Sequence, residues 1–577
     1  MTPTTETGQQ AHERLQALGQ QFFDALHSSD PFNATVLGVT GFDDRVPDLS
    51  REGTDAAARA IGDIERSAAE LDGSVLGGSD TVDRDVLVAL AGAARADLEH
   101  ASWAANASAD GYGSPQGRAF MAVPSAPLTD ARSVEGYLTR LGALGGVFDA
   151  LGRRYVETAA AGCRPTAVGV RQAVEQLRNH LAPAPDGGIF QRPVLPAGVD
   201  EARTRARIDE VVEDVVAPAM RRLAALLTDE LAPVARGGDA VGLCHVAGGS
   251  AAYLAAVRRH TTTDLTPQEV HDLGHTVLAE LREEWLELGG RVLGTRDVPS
   301  TLRRLREDRT LRFASSADIV DVVTDALARA EDARDGWFPH YDIPDCTIEE
   351  IDPAEAGNAA LAHYRPPSAD GGRPGAHCVL TVEPTQRFRY EYEALAFHES
   401  TPGHHLQIAS AQTLRHLPQY RRFLDAEVCA YVEGWGLYSE RLADEMGLYS
   451  SELDRLGMLS FDALRACRLV VDTGLHSLGW SRDRAVDFMW ENTATTRHNV
   501  VNEVNRYIAW PGQALAYMVG RREIVRLRGL AQSRLGDAFD VRAFHGAVLS
   551  NGAVPLSVLE RVVLRWVDTA GLSPAIP

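Results

Sequence analysis

The stretch AFHESTPGHHLQ, residues 396–407, is where this chain breaks a helix beside a group of histidines. It begins like an HExxH zinc helix, in which two histidines four residues apart share one face and the glutamate polarises a metal-bound water. His398 and Glu399 fit that pattern, but Pro402 stands where the second histidine belongs. Because proline removes a helical hydrogen bond and glycine widens the allowed backbone, Pro402 and Gly403 predict an interrupted helix.

Two histidines follow the break, and either could complete the pair. His404 lies six residues after His398, and in a straight helix it would be about 9 Å further along the axis and on another face. An interrupted turn could return it to the side of His398. His405 would share a face with His398, but about 10 Å of rise separates the two in a regular helix. We expect His404 to be the ligand and His405 to lie behind it or face substrate, and the spacing alone leaves this choice open.

The third ligand is expected in DAEVCAYVEGWGLYSERLADEMG, residues 425–447. A hydrolytic zinc site needs three protein ligands and one open position. Glu433 sits in the apolar segment YVEGWGLY, where an unpaired carboxylate would be costly and a bound cation would remove that cost. Pairing of Glu433 with an arginine is the structural alternative. Glu440 lies seven residues further on, on the same helical face.

A second pair of histidines has the spacing that the first stretch lacks. In HDLGH, His271 and His275 are four residues apart, but Asp272 is one methylene shorter than the usual general base. The segment is otherwise an ordinary amphipathic helix, so we expect both histidines to be structural. Thr266, before Pro267 and Glu269, predicts the N-cap of that helix.

Helical periodicity dominates the 577 residues, of which 45% are hydrophobic. It is clearest in five stretches, ERLQALGQQFFDALH, YLTRLGALGGVFDALGRRYVETAAAG, RIDEVVEDVVAPAMRRLAALLTDELAPVA, AEVCAYVEGWGLYSERLADEMG and LSVLERVVLRWVDTAG. Strand signals are confined to AHCVLTV, residues 376–382, and CTIEEID, residues 346–352. The pattern predicts a mainly α protein with one small sheet next to the metal-binding helix, which itself should begin near Thr385. An edge of the strand at 376–382 could pair with an extended peptide.

No long flexible linker divides the chain, so we expect one mostly helical unit over residues 1–577. Within it, an N-terminal helical region over 1–340 and a catalytic region over 341–577 are the expected sub-lobes. The six cysteines are scattered without a CxxC pair, which is typical of free thiols in a reducing compartment. Neither an N-terminal signal sequence nor an apolar run long enough for a membrane is visible, so we expect a cytoplasmic protein without a membrane partner.

Charge and composition exclude several functions. The formal net charge is -23, which makes nucleic acid an unsuitable partner. All 57 basic residues are arginine, so Schiff-base, pyridoxal-phosphate and P-loop lysine chemistry is excluded. The sequence also lacks a GxSxG nucleophile elbow and a dinucleotide fingerprint.

Three segments together resemble a known family. HESTPGHHLQ, YVEGWGLYSERL and NRYIAWPGQALAYMVG are similar to the HExxPGHH, EGW and YxxxPGQAxxYxxG signatures of the bacterial domain-of-unknown-function 885 family, in the same order. That family is thought to be related to the gluzincin peptidases of the thimet-oligopeptidase and thermostable-carboxypeptidase type. The resemblance implies many helices around a deep cleft, Zn2+ held by His398, His404 and Glu433, and Glu399 as general base. Many members carry a lipoprotein-type signal sequence, which this N-terminus does not resemble.

Further residues are expected around the metal. Peptide hydrolysis develops negative charge on the carbonyl oxygen, so a facing hydrogen-bond donor is useful. Tyr507 and Tyr517 flank IAWPGQALA, and we favour Tyr517 because its YxxG context resembles the related peptidases. Arg506 could bind a substrate carboxylate in a bidentate manner, and Arg389 is a second candidate for substrate binding.

The expected function is zinc-dependent hydrolysis of amide bonds, with a short peptide as substrate and Glu399 activating the water. A carboxypeptidase and an oligopeptidase are both compatible with the motifs. An amidohydrolase acting on a non-peptide metabolite would use the same groups. A non-catalytic binding protein that keeps the scaffold is the third interpretation, and the presence of Glu399, which metal binding does not need, speaks against it.

Overall fold

The computed structural model describes residues 7–184, 187–351, 360–424 and 427–570. Over these ranges the structure is 71% helical and has one small three-stranded sheet. The prediction of a mainly α fold with a single small sheet is therefore confirmed. None of the helices in the described ranges is both long and apolar enough to span a membrane.

The chain forms two compact units, and each is built from separate segments. Unit 1 comprises residues 1–255, 475–483 and 505–511, and unit 2 comprises 256–474, 484–504 and 512–577. The division thus falls near residue 255, whereas the sequence pattern placed it near 340. Helices between these two positions are part of unit 2, where the His271 ring nitrogen Nδ1 lies 2.8 Å from the Thr473 hydroxyl.

Unit 1 is an all-helical assembly centred on α6, the helix at Ala131–Ala160. The apolar side chains of α6 at Leu141, Leu144, Phe148 and Leu151 are fully buried in its core, as is Leu177 of α7. The helices are α1 (Gly8–Ser29), α2 (Pro31–Leu37), α3 (Arg51–Ala69), α4 (Gly78–His100), α5 (Pro115–Ala122), α6 (Ala131–Ala160), α7 (Ala167–Leu181), α8 (Glu201–Val211), α9 (Ala217–Leu226) and the first part of α10 (Gly249–Thr261).

Unit 2 contains the sheet and most of the sequence signatures. Its helices are α11 (Pro267–Leu293), α12 (Val298–Glu307), α13 (Ser316–Trp337), α14 (Tyr392–Glu399), α15 (His404–Thr413), α16 (Gln419–Arg422), α17 (Cys429–Glu445), α18 (Glu452–His476), α19 (Arg482–Asn492), α20 (Arg497–Ala509), α21 (Ala516–Leu535), α22 (Val541–Leu549) and α23 (Leu556–Ala570), of which α18, α19 and α20 also have residues in unit 1.

The helices follow the predicted periodicity, with one local difference. The five periodic stretches fall on α1, α6, α8 with α9, α17 and α23. Between α8 and α9, and again after α9, π-helical turns at Val212–Val216 and Leu227–Leu231 interrupt the regular α-helix. At the start of α11 the Thr266 hydroxyl accepts a hydrogen bond from the Glu269 amide at 3.2 Å, and the Glu269 carboxylate accepts one from the Thr266 amide at 2.8 Å. The predicted N-cap is confirmed as a capping box.

The helix that carries His398 begins later than the sequence pattern predicts. Residues 384–386 and 389–391 form two separate 3₁₀ turns, and the α-helix starts at Tyr392 rather than near Thr385. Glu383 adopts a left-handed conformation with φ of 54° just before Pro384, which starts the first turn. Extended backbone at Arg387 then prevents the turn from continuing into a helix.

The sheet consists of β1 (Thr347–Glu350), β2 (Ala362–Arg365) and β3 (Ala376–Val379), in the order β1-β3-β2. β1 runs parallel to β3, and β2 runs antiparallel to it. β3 is therefore the central strand, and both of its edges are already paired. The prediction that the strand at 376–382 offers an edge to a peptide is wrong, because β1 and β2 already pair with it on its two sides.

The sheet is attached to the helix that carries His398. The Tyr392 hydroxyl of α14 donates to the Leu380 carbonyl oxygen at 3.0 Å, directly after β3. His377 of β3 places Nδ1 3.1 Å from the hydroxyl of Ser400, the residue after α14. Both Tyr392 and His377 are completely buried, so the end of α14 is fixed against the central strand.

Candidate metal centre

The break predicted at Pro402 and Gly403 separates two helices. α14 ends at Glu399, α15 begins at His404, and the Thr401–Pro402 peptide between them is cis. A Cβ atom at Gly403 would lie only 1.9 Å from the His398 carbonyl oxygen. Since only glycine tolerates so close an approach of two backbones, Gly403 allows α15 to start directly against the end of α14.

The new start places the two histidine rings together. The ring centroids of His398 and His404 are 4.6 Å apart and the rings are nearly perpendicular, at 86°. Oε2 of Glu433, from α17, lies 3.7 Å from Nε2 of His398 and 3.5 Å from Nε2 of His404. The three candidate ligand atoms all lie within 4.8 Å of one another, and no other such group of three occurs in the described ranges.

The backbone of α17 lies directly against both imidazole rings. A Cβ atom at Gly436 would be 2.7 Å from Cε1 and 2.8 Å from Nε2 of His398, and 3.0 Å from Cε1 of His404. These distances are shorter than van der Waals contact, so a side chain at this position would displace the rings. Gly436, three residues after Glu433, thus makes room for the cluster.

The charges of the cluster compensate one another. Burial opposes protonation of His398, but the carboxylates of Glu433 and Glu440 and the charge of Glu399 outweigh it and raise its pKa to about 9. Burial also opposes ionisation of Glu433, but hydrogen bonds and charge from His398 and His404 lower its pKa well below the ordinary value. The directions of the two shifts favour a proton shared between Glu433 and the imidazoles, and a divalent cation could take its place with release of that proton.

Glu440 holds His398 from behind. Nδ1 of His398 donates to Oε1 of Glu440 at 2.8 Å, and Glu440 is completely buried. Nη2 of Arg465 lies 3.4 Å from the same oxygen. Since Nδ1 keeps its proton towards Glu440, release of the proton on Nε2 would leave a lone pair there facing the cluster, as in carboxylate–histidine–metal arrangements. In the sequence, the only indication of this role of Glu440 is its position seven residues after Glu433, which places both on one helical face.

Gln513 contacts the other oxygen of Glu433. Its side-chain amide Nε2 donates to Oε1 of Glu433 at 3.4 Å. The turn before it is fixed by Asp472, whose two carboxylate oxygens each lie 3.1 Å from the Gly512 amide nitrogen. Gly512 has φ of 84°, which favours glycine. Sequence reasoning placed the PGQ segment near the site for its tyrosines and missed the glutamine.

His405 uses both of its ring nitrogens elsewhere. Nε2 donates to the Pro344 carbonyl oxygen at 2.9 Å, and Nδ1 accepts from the Tyr364 hydroxyl at 3.0 Å. Burial lowers the pKa of His405 to about 4, so the ring is neutral. His405 thus connects α15 to β2, and of the two histidines after the break only His404 directs a nitrogen at Glu433.

The remaining predicted catalytic and substrate-binding residues are divided between the two units. Glu399 and Tyr517 belong to unit 2, whereas Arg506 and Tyr507 belong to unit 1. Glu399 is 9% exposed, and the ring of half-buried Tyr517 lies 6.2 Å from that of His398, at an angle of 22°. Tyr507 belongs to unit 1, is fully buried, and accepts at its carbonyl oxygen from Nε2 of His476 at 3.0 Å. Arg506 lies over the Tyr507 ring at 5.1 Å, also in unit 1.

Two remaining groups of predicted residues are not members of the group formed by His398, His404 and Glu433. Arg389 is exposed on the 3₁₀ turn before α14. His271 and His275 pack edge to face at 4.9 Å, and His275 also packs against Phe488 at 5.7 Å. Within the described residues, these two histidines have no third ligand nearby. All six cysteines are free thiols, as expected.

The fold and the cluster define a mainly α-helical protein with a candidate metal centre of two imidazoles and one carboxylate. Residues 31–563 match the model of a family described as bacterial proteins of unknown function, DUF885, and the chain belongs to this family. The predicted family membership is therefore confirmed. A comparison with curated proteins finds no match.

Two solved structures share the fold. One is a "putative lipoprotein" from Colwellia psychrerythraea, with TM-score 0.89 and 26% identity, covering 98% of this chain and 100% of its own. The other is a "putative lipoprotein of unknown function" from Shewanella oneidensis, with TM-score 0.74 and 16% identity, covering 95% of this chain and 99% of its own. The second likeness concerns the fold alone.

Proposed function

We propose that this protein is a zinc-dependent hydrolase of amide bonds and that its substrates are short peptides. One observation carries the proposal. Two imidazole nitrogens and one carboxylate oxygen lie within 4.8 Å of one another, and they come from buried His398, buried His404 and half-buried Glu433. Two imidazoles and a carboxylate are the donor set of hydrolytic zinc sites such as thermolysin. We further propose that the family is related to the gluzincin peptidases.

The donor set fits a zinc ion in its chemistry and its surroundings. His398 is held in the tautomer that a metal needs, because Glu440 accepts its Nδ1 proton at 2.8 Å. Gln513 donates to Oε1 of Glu433, which leaves Oε2 for the cluster. A bound zinc ion would act as a Lewis acid on the amide carbonyl and lower the pKa of a water molecule.

Glu399 is proposed as the general base. It follows the ligand His398 directly, is 9% exposed, and is close enough to raise the pKa of His398 through its charge. It would take the proton from the attacking water and deliver it to the leaving amine nitrogen. Metal binding does not need this carboxylate, so its presence favours catalysis over a purely structural or binding role.

Tyr517 is proposed as the donor to the developing oxyanion. Its ring stacks beside that of His398 at 6.2 Å within unit 2, and its side chain is half-buried rather than fully enclosed. A phenol there can donate to the carbonyl oxygen as negative charge develops on it. Tyr507, in unit 1, stays a prediction as an alternative oxyanion donor. Arg506, also in unit 1, and the exposed Arg389 stay predictions as substrate contacts. Both ring nitrogens of His405 are hydrogen-bonded within the protein, and its role as a substrate contact stays a prediction.

We propose the cytoplasm as the location, on the ground of six free thiols. Cell fractionation with an antibody against the chain tests this directly. Recovery of the full-length protein with membranes or the cell envelope would contradict it.

The experiment compares wild type with three variants, His404→Ala, His405→Ala and Glu399→Gln, purified without nickel. Elemental analysis after zinc loading and dialysis is expected to give one zinc per chain in wild type, Glu399→Gln and His405→Ala, and none in His404→Ala. Cleavage of a short-peptide library, followed by mass spectrometry, is expected to fall by roughly 100- to 10,000-fold in Glu399→Gln.

Each result bears on a different part of the proposal. Wild type without stoichiometric zinc would remove the metal centre. Loss of zinc from His405→Ala but not from His404→Ala would reverse the ligand assignment. Equal cleavage by wild type and Glu399→Gln would remove Glu399 as the base, and no cleavage by zinc-loaded wild type would leave the peptide substrate without support.

A further inference from the structure

An arginine lies over the ring of Tyr517. The guanidinium carbon Cζ of Arg468, on α18, is 4.2 Å from the centroid of the Tyr517 ring. The same ring is nearly parallel to the His398 imidazole, at 22° and 6.2 Å. Tyr517 therefore has contacts with both a fixed cation and a proposed metal ligand, although none of the sequence signatures includes α18.

Arg468 is itself held in place. Its Nη2 and Nε atoms donate to Oε2 of Glu503 at 2.8 and 3.1 Å. Arg468 is 6% exposed, and the Glu503 side chain is 17% exposed. A guanidinium with little access to water and two bonds to one carboxylate oxygen has restricted freedom, so it can restrict the ring below it.

A second cation on the same helix serves a different partner. Arg465, one turn before Arg468, lies 5.8 Å from the Tyr517 centroid, and its Nη2 is 3.4 Å from Oε1 of Glu440. Residues three apart share a helical face, so α18 presents one arginine towards the carboxylate behind His398 and another towards Tyr517. The closer distance assigns the ring contact chiefly to Arg468.

We propose that Arg468 is a positioning residue that acts through Tyr517. The attraction between a guanidinium and the face of an aromatic ring fixes the tyrosine beside His398. A positive charge over the ring also draws electron density away from the phenol oxygen, which polarises the O–H bond and makes the hydroxyl a stronger donor to an oxyanion. The inference rests on the proposed hydrolase function and adds a residue outside all three signatures.

The test is a double-mutant cycle with Arg468→Met and Tyr517→Phe in the zinc-loaded full chain. Arg468→Met alone is expected to lower kcat about tenfold, the size of a well-ordered cation–π contact, with KM within about twofold of wild type. In the Tyr517→Phe background it is expected to have no further effect on kcat. Arg468→Lys, which keeps the charge, is expected to recover part of the loss.

A second readout does not depend on activity. In protein labelled with 3-fluorotyrosine, the ¹⁹F resonance of Tyr517, assigned by its loss in Tyr517→Phe, is expected to move in Arg468→Met. Arg306→Met is the matched control, because the Arg306 guanidinium lies 3.9 Å from the Trp490 ring in the same unit. It removes a comparable contact and is expected to leave kcat and the Tyr517 resonance unchanged.

Two outcomes would overturn the inference. One is an unchanged Tyr517 resonance in Arg468→Met, and the other is the same loss of kcat from Arg468→Met with or without the Tyr517 hydroxyl. A wild type that binds zinc but cleaves nothing would count against the proposed function instead. The resonance still decides in that case whether Arg468 positions the ring.

Discussion

Glu391 shows how strongly single residues in unit 2 are shaped by their surroundings. It caps the start of α14, seven residues before His398, and is 2% exposed. Burial raises the pKa of Glu391 to about 8, although a hydrogen bond from Thr495 and the charges of Arg312 and other arginines oppose the rise. The carboxyl group therefore stays protonated in the folded protein under conditions in which an exposed glutamate is ionised.

This shift has a defined effect on stability. The folded-state pKa of Glu391 lies above its ordinary value of 4.5, so between pH 4.5 and 8 the folded chain holds a proton that the unfolded chain has lost. The stabilisation that is present below pH 4.5 is lost as the pH rises through 8. Glu391→Gln stays neutral throughout, so its thermal midpoint is expected to rise relative to wild type between pH 5 and pH 8.

Thermal unfolding of both proteins at the two pH values measures this difference. Glu307→Gln, at an exposed position of α12, is the matched control and is expected to follow wild type at both pH values. A constant difference between Glu391→Gln and wild type from pH 5 to pH 8 would contradict a protonated Glu391 in the folded state.

At the scale of elements, α17 and α21 approach each other through glycines. A Cβ atom at Gly434 would lie 2.5 Å from Cα of Gly520, and one at Gly520 would lie 1.7 Å from the Ala430 carbonyl oxygen. α17 thus needs glycine at two positions: Gly434, where it faces α21, and Gly436, where it faces the two imidazoles. The close approach fixes the position of Glu433 relative to the PGQ segment at the start of α21.

Gly520→Ala is therefore expected to destabilise unit 2 by about 3 kcal/mol and to weaken zinc binding, because the two helices must move apart. Gly529→Ala, on the same helix, is the matched control, because a Cβ atom there meets nothing within 4 Å. That change is expected to stabilise by about 0.5–1 kcal/mol through helix propensity. Urea unfolding measures the free energy of unfolding of both variants. Equal changes in the two variants would show that the close approach at Gly520 is unimportant.

The sequence allowed much of the local structure to be predicted, and far less of the tertiary contacts. Periodicity located the long helices, and the proline and glycine after Glu399 located the break, because both depend on neighbouring residues alone. Arg465, Arg468 and Asp472 lie along α18 and contact Glu440, Tyr517 and Gly512, respectively. No sequence motif includes these three α18 residues. Their role depends on which helix packs behind α17, and one sequence contains no direct signal for that packing.

At the scale of the whole molecule, the candidate centre draws on distant parts of the chain. His398, Glu433 and Gln513 come from three helical segments that unit 2 gathers from more than a hundred residues of sequence. All three residues fall within the predicted catalytic region 341–577, and unit 2 adds the helices from residue 256 onwards to that region. A periodic pattern shows that a helix exists but not which helices share a core.

Zinc is expected to stabilise the folded protein by mass action. At a free concentration 100 times the dissociation constant, the gain is about 2.7 kcal/mol, seen as a higher unfolding midpoint that EDTA reverses. Hydrogen exchange should slow in α14, α15 and α17. His404→Ala is the control that lacks the site, and an equal shift in that variant would show that zinc stabilises the protein from another place.

The contact between Gly436 and the two imidazoles also bears on what to expect of other members of the family. A substitution at this one position removes the space for both rings while leaving the histidines, the glutamate and the helices in the sequence. Under the proposed function, a relative with all three ligand residues and a larger residue at this position is expected not to bind zinc. The residue at position 436 of each family member would then predict, from sequence alone, whether that chain binds zinc.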